Sequence, residues 1–369
     1  MATLKKGGGV STFLSNDTIS LSIIIPVSRF IEAKRCLASL EAQVYPREHV
    51  EVMLVSAADL SVFGELASDM HLRLVQSEHN HPSIMRNLAV AASNGSFLAF
   101  LDDDTVVPPN WVSDIVETLS AHPDRIIGGP NVDRRQSLRF ALANAIQEHP
   151  LLEGLRNHRA LGDRSQRVNA HNLPLSNAAM TRKTFERIGG FNEIANYYMD
   201  GSEFLYIAQR INIPIYLYSS FEIQHDNRPM FLPYFKYKLR SRRMIGRNFI
   251  LFPECYSHSF QIRLVFLTFF LSFPTVFALG LAGWLFPALA WGSGLYLAAL
   301  YVAGFSFRRP FLHTLLLGPC VLLTQGLMYF GFFWGFIEGV IGLRTNLAVI
   351  EHKALRYRVI GEKSVQCAD

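Results

Sequence analysis

The chain has 369 residues, half of them hydrophobic, with a formal net charge of +5. That length holds one sizeable soluble domain plus a more apolar region. The charge excess is local, and a nucleic-acid partner is the weaker reading because the basic segment adjoins apolar spans; the four scattered cysteines (Cys36, Cys255, Cys320, Cys367) lack metal-type spacing, so no disulfide framework is expected.

In chain order, Lys5-Lys6 is followed by Gly7-Gly8-Gly9 and polar residues with no apolar signal region. Residues 1–19 are expected to be loose and the first 250 residues to stay on the cytoplasmic side. Leu21 to Val27 is a continuous apolar run ending in Pro26, the pattern of a buried parallel strand, and Ile31 to Gln43 follows at helical spacing. Further strands are predicted at Val52–Val55, His71–Val75 and Phe97–Leu101, and Pro82 opens a helix through Met85-Arg86-Asn87 to Ala92. This alternation is that of an open α/β sheet, which binds ligands beyond the carboxyl ends of its strands.

Asp102, Asp103 and Asp104 stand at one such end, directly after Phe97-Leu98-Ala99-Phe100-Leu101. Like charges delivered to one point need a cation or solvent to neutralise them. Asp102 and Asp104 fall on the same side. Two readings are open on the acids alone: a metal site, or a solvated turn capping the helix that starts near Pro108-Pro109-Asn110-Trp111.

Towards the C-terminus, Arg228 to Arg247 holds seven Lys or Arg and no acid, interleaved with Phe231, Tyr234, Phe235, Leu239 and Ile245. This suits a helix lying on an anionic membrane surface; a solvated basic face is the alternative. Leu264 to Phe307 has no charged residue, enough for two spans at about 20 residues each. Arg308-Arg309 then interrupts and is placed in the cytoplasm by the positive-inside tendency. Phe311 to Leu343 is long for one span and short for two, carries Glu338, and is expected to break or re-enter around Gly318-Pro319. The divisions are therefore a flexible N-terminus (1–19), a catalytic domain (20–227), a basic interfacial segment (228–260), about three spans (261–343) and a basic tail (344–369).

Ser22-Ile23-Ile24-Ile25-Pro26-Val27, Met85-Arg86-Asn87-Leu88-Ala89 and Gly95 through Asp104, followed by Gly189-Gly190-Phe191-Asn192 and His225, resemble the ordered signatures of family 2 glycosyltransferases with a GT-A fold. The resemblance covers roughly residues 20–250. The apolar C-terminus is similar to the subset that builds bacterial exopolysaccharides or lipid-linked glycans. What the resemblance implies is a nucleotide-sugar donor, a lipid-linked or polysaccharide acceptor, membrane lipids as neighbours, and a divalent cation, Mn2+ or Mg2+. The residues fit that chemistry independently: cleaving a sugar nucleotide leaves charge on a diphosphate, which a cation held by Asp-x-Asp stabilises.

Asp104 is the first choice as a direct ligand, Asp102 faces the ribose or shares the metal, and Asp103 belongs to the donor site but is oriented away. His225 resembles the family's downstream metal or diphosphate histidine; a merely structural strand-end histidine is the alternative. Arg86 is read as reaching phosphate or ribose, or else as an exposed helix arginine, and Pro26, Val27 and Ser56 complete the donor pocket. Where the family has Glu-Asp this chain has Met199-Asp200-Gly201-Ser202-Glu203-Phe204, so Asp200 or Glu203 is the candidate base, with Asp200 preferred. The alternative role for both is charging the start of a helix running to Arg210.

Three departures stand out. Ser56-Ala57-Ala58 replaces the nucleobase-reading Asp, with Asp59 displaced, and Ser28-Arg29 replaces Tyr-Asn in the same pocket. Arg240-Ser241-Arg242-Arg243-Met244 stands in place of Gln-x-x-Arg-Trp, which argues against a processive polymerase. The expectation is a multi-pass, metal-dependent, inverting glycosyltransferase of the inner (plasma) membrane with its catalytic domain in the cytoplasm. The alternatives are a polyprenyl-phosphate sugar synthase, whose phosphate acceptor needs no strong base, and a non-catalytic membrane scaffold of the same fold.

Overall fold

A computed structural model describes residues 20–63, 71–133, 135, 137–147, 165–193, 200–251 and 311–342. The strands β1 (Leu21–Pro26), β2 (Val50–Ser56), β3 (His71–Gln76) and β4 (Phe97–Leu101) alternate with helices α1 (Phe30–Glu41) and α2 (Pro82–Ala92). There follow β5 (Thr105–Val106), α3 (Trp111–Ala121), β6 (Ile126–Gly128), β7 (Asn131–Val132), α4 (Leu138–Gln147) and β8 (Ser165–Arg167). β9 (Asn177–Thr181), α5 (Arg182–Ile188), α6 (Asp200–Arg210), β10 (Ile215–Tyr218) and β11 (Ile223–His225) complete the α/β unit.

The main sheet has eight strands in the order β3-β2-β1-β4-β9-β6-β10-β8. β1 pairs in parallel with β2 and β4, whereas β9 runs antiparallel to both β4 and β6. The uninterrupted apolar run of β1 follows from its central place, because both faces are covered. Ile23 and Ile25 pack with Cys36, Leu37 and Trp111 on one side. Ile24 packs with Met85, Ala89 and Phe185 on the other. Each such buried side chain contributes roughly 1.5–3 kcal/mol.

A second sheet of three strands, β5-β11-β7, sits at the carboxyl end of β4. β11 pairs antiparallel with β5, placing His225 opposite Thr105. That short pairing sets the site.

Two long helices follow, α7 (Leu232–Leu251) and α8 (Phe311–Ile341). They run in the same direction in close contact, with Gly331 against Leu239, Gly335 against Arg243 and Gly339 against Arg247 and Ile250. Arg243 donates to both oxygens of Glu338 and lies over Trp334. The start of α8 joins a separate core with Leu142, Ile146, Met230 and Tyr234.

Two expectations change here. The stretch from Phe311 does not break at Gly318-Pro319; α8 is one helix with Pro319 inside it. An interior proline costs about 3 kcal/mol, and Leu317, Cys320 and Val321 packed around it against α4 offset that cost. Most apolar residues of the basic segment are also covered, although Phe231 and Leu232 at its start stay exposed. Tyr234 is buried, Leu239 meets Gly331, and Phe249 packs on Phe332 and Phe336.

Among the described residues one helical segment, Pro319–Ile341, 23 residues with mean hydropathy 1.6, is long and apolar enough to cross a bilayer. The spans expected in 264–307, Arg308-Arg309, residues 1–19 and the tail from 344 lie outside the described residues.

Candidate active site

The three acids form the turn from β4 into β5. Thr105 closes it, donating from its backbone N–H and hydroxyl to the Asp102 carbonyl at 3.3 and 2.8 Å. They do not cap α3. Asp103 and Asp104 are 2% and 1% exposed, which removes the solvated-turn reading. The three side chains diverge. Asp103 turns to the end of β1, where its Oδ2 accepts from the N–H groups of Ser28 and Arg29 at 2.6 and 2.7 Å and from the Ser28 hydroxyl at 3.0 Å.

Asp102 and Asp104 converge on His225, whose Nε2 lies 3.7 Å from Asp102 Oδ2 and 3.5 Å from Asp104 Oδ1. One ligand atom from each of these three residues lies within 4.8 Å of the others. Their chemistry fits a divalent cation, since two carboxylates and an imidazole suit Mn2+. Asp104 Oδ1 is buried without a hydrogen-bond partner, as an oxygen awaiting a cation would be.

Arginines surround the acids. Arg86 is buried, not an exposed helix arginine; it donates to Asp102 Oδ1 at 3.3 Å and lies 5.7 Å from the centre of the Phe191 ring. Arg29 forks across Asp103 and Asp104 through separate nitrogens. Beyond them Asp226 pairs with Arg35 at 2.7 Å and Arg135 at 3.6 Å.

These contacts shape the protonation states. Burial opposes charge on Asp102, but the neighbouring His225 and the Arg86 guanidinium outweigh it and hold the carboxyl at about 2. For Asp104 burial wins over His225 and Arg29, and its carboxyl is raised. Burial disfavours protonated His225, yet the neighbouring Asp102 and Asp104 carboxylates lift it above its ordinary 6.5. Arg29 is likewise raised, burial being outweighed by Asp104 and Asp103.

The remaining expected residues lie at the ends of β1 and β2 and on α6. Pro26 ends β1, and the Val27 N–H donates to Val55 at 2.8 Å. Ser56 is buried and donates to the Val27 carbonyl at 2.7 Å, tying β1 to β2. Asp59 is engaged locally with Ser61.

Asn87 links α2 to the Gly-Gly-Phe-Asn turn: its side chain accepts from the Phe191 N–H and donates to the Phe191 carbonyl, both at 2.9 Å. Gly189 and Gly190 have φ of 84° and 69°, which L side chains rarely adopt. Asp200 opens α6. Glu203 is buried, and its Oε1 accepts from Asn192 at 3.1 Å.

Arg29 is the main participant that the sequence did not place. The signal was there in the Ser28-Arg29 departure, but a position in sequence does not say which way a guanidinium turns.

An open, mostly parallel sheet with acids and arginines gathered beyond its carboxyl ends defines an α/β domain whose ligand site lies at those ends. Residues 22–189 match the family described as Glycosyl transferase family 2, and the chain carries a family 2 glycosyltransferase domain. The fold is GT-A, similar to that of "Mannosyltransferase PcManGT from Pyrobaculum calidifontis in complex with GDP-Man and Mn2+", with a TM-score of 0.57 and 18% identity over 88% of each chain. "Glycosyltransferase AglE" of Haloferax volcanii is 29% identical over 116 residues, 30% of this chain and 38% of that protein. "Succinoglycan biosynthesis protein ExoM" of Rhizobium meliloti is 29% identical over 124 residues, 32% of this chain and 40% of that protein. The matched part thus spans about two fifths of these curated relatives.

Proposed function

We propose that this chain transfers a sugar from a nucleotide-sugar donor to a lipid-linked or polysaccharide acceptor, with inversion, at the cytoplasmic face of the plasma membrane. The observation that carries this reading is the convergence of Asp102, Asp104 and His225 around the orphaned Asp104 oxygen. These three residues would hold a divalent cation, which when bound stabilises the charge that develops on the departing diphosphate. The description of PcManGT with GDP-Man and Mn2+ supports both the donor class and the cation. ExoM's description as a succinoglycan biosynthesis protein supports the acceptor class.

The chain's own groups divide the remaining work. Arg86, held by Asp102 and Phe191, presents a fixed cation to the donor's phosphate or ribose. Val27 and Ser56 hold the ends of β1 and β2 as the floor beneath the donor. Asp200 at the mouth of α6 takes the proton of the acceptor hydroxyl, and Glu203, bonded to Asn192, steadies that helix. Membrane attachment rests on the outer face of α8, where Leu323, Phe330, Trp334, Ile337 and Ile341 are exposed in one helical stripe.

The test is a screen of nucleotide-sugars for donor hydrolysis and transfer by the purified chain, with and without Mn2+. One donor should be consumed only when Mn2+ is present. Asp104→Ala should lose at least about a hundredfold in rate while remaining folded, since loss of a metal ligand removes several kcal/mol of leaving-group stabilisation. Turnover near the wild-type rate in that variant would sink the metal assignment. Failure of every donor would favour the scaffold.

A further inference from the structure

Arg29 occupies one of the two acids that a divalent cation needs, Asp104. Its guanidinium donates to Asp103 through one nitrogen and to Asp104 through another, while its side chain stays 36% exposed. The two acids depend on it unequally. Asp103 keeps three further donors, the Ser28 and Arg29 N–H groups and the Ser28 hydroxyl, all on the oxygen the guanidinium does not touch. Asp104 has no such cover. Arg29 is its described hydrogen-bond donor, on Oδ2, whereas Oδ1 accepts no hydrogen bond and has only His225 Nε2 nearby, at 3.5 Å. A carboxylate 1% exposed needs a counter-charge, and here a guanidinium supplies it.

We propose that Arg29 is the resident counter-ion of Asp104, drawn off by the donor's diphosphate, so that nucleotide and cation bind with positive coupling. The inference rests on the metal and nucleotide-sugar reading above. Guanidinium and divalent cation repel one another and compete for the same carboxylate. A guanidinium fork matches phosphate oxygens as well as carboxylate oxygens, and the exposed part of Arg29 leaves it accessible. Pairing with a diphosphate releases Asp104, whose two oxygens are then open to the cation. By linkage each ligand tightens the other by the same factor.

Mn2+ binding to the purified full-length chain, read by electron paramagnetic resonance with and without UDP or GDP, tests this. In the wild type a nucleoside diphosphate should tighten Mn2+ binding by about tenfold or more. Arg29→Gln should bind Mn2+ about tenfold more tightly than wild type without nucleotide, and the coupling should fall towards one. Arg29→Lys keeps a charge but not the fork, so it should fall between the two and serves if the glutamine variant does not fold. Equal nucleotide-free affinity in wild type and variants overturns the proposal and leaves the metal reading standing. Weaker binding in the variants also overturns it, and makes Arg29 a support for Asp104 instead. Absence of Mn2+ binding in every form, with or without nucleotide, overturns both.

Discussion

His225 couples the site to pH. Burial works against its protonated form, but Asp102 and Asp104 outweigh that and raise it above 6.5. A raised histidine contributes stability that is fully present below about pH 6.5 and is lost as pH rises through its folded value. Metal ligation needs the neutral ring, so the same titration favours the cation in the opposite direction. Mn2+ affinity should therefore be weak near pH 6, climb as pH rises to about 8, and flatten in His225→Asn. A wild-type affinity independent of pH over that range would remove His225 from the ligand set.

The base proposed on α6 has its own test. Asp200→Asn should cut transfer by about a hundredfold or more with donor binding retained. Glu203→Gln keeps an oxygen for Asn192 to donate to and should be mild. The reverse pattern would make Glu203 the base.

At the scale of elements, glycines decide how closely helices approach. A Cβ on Gly335 would collide with the backbone of Arg243, whereas one on Gly326 meets open space. Gly326→Ala should be neutral or stabilising by up to about 1 kcal/mol, because alanine is the better helix former. Gly335→Ala gains the same propensity but forces α7 and α8 apart, at a cost of about 1–3 kcal/mol. Thermal unfolding of the two variants in detergent checks the contrast; equal midpoints would mean that the helices do not pack as described. The contact of Asn87 with Phe191 is a second link of this kind, joining two motifs 104 positions apart. Each motif was visible in the sequence, but the bond between them was not, because nothing local reports that a helix and a distant turn meet.

For the molecule as a whole, the α7–α8 pair bears on the proposed membrane attachment. α7 lies alongside α8 from Leu239 at Gly331 to Ile250 at Gly339, and it carries Arg240, Arg242, Arg243 and Arg247. If α8 crossed the bilayer, α7 would be drawn in with it, at about 2.5–3.5 kcal/mol for each arginine held near the centre. The pair is better suited to the interface, with the stripe through Leu323, Phe330 and Trp334 in the apolar layer and the cations at the headgroups. A cysteine at Gly342 should then react with an impermeant reagent from the same side as one at Glu48 in the catalytic domain. Labelling only from the opposite face would show that α8 spans.

The sequence by itself determined the open α/β sheet, where along the chain its first four strands lie and the position of the acids at a strand end. Those features follow from local signals: apolar runs, helical spacing and the junction between Leu101 and Asp102. Only the tertiary structure decided that β11 pairs with β5 and brings His225, 121 positions after Asp104, to within 3.5 Å of it. It also decided that Arg29 turns onto Asp103 and Asp104, and that the apolar side of the basic helix packs on α8. A run of residues states which groups are apolar or charged, but the partner that buries or neutralises each one is chosen by packing among segments far apart in the chain.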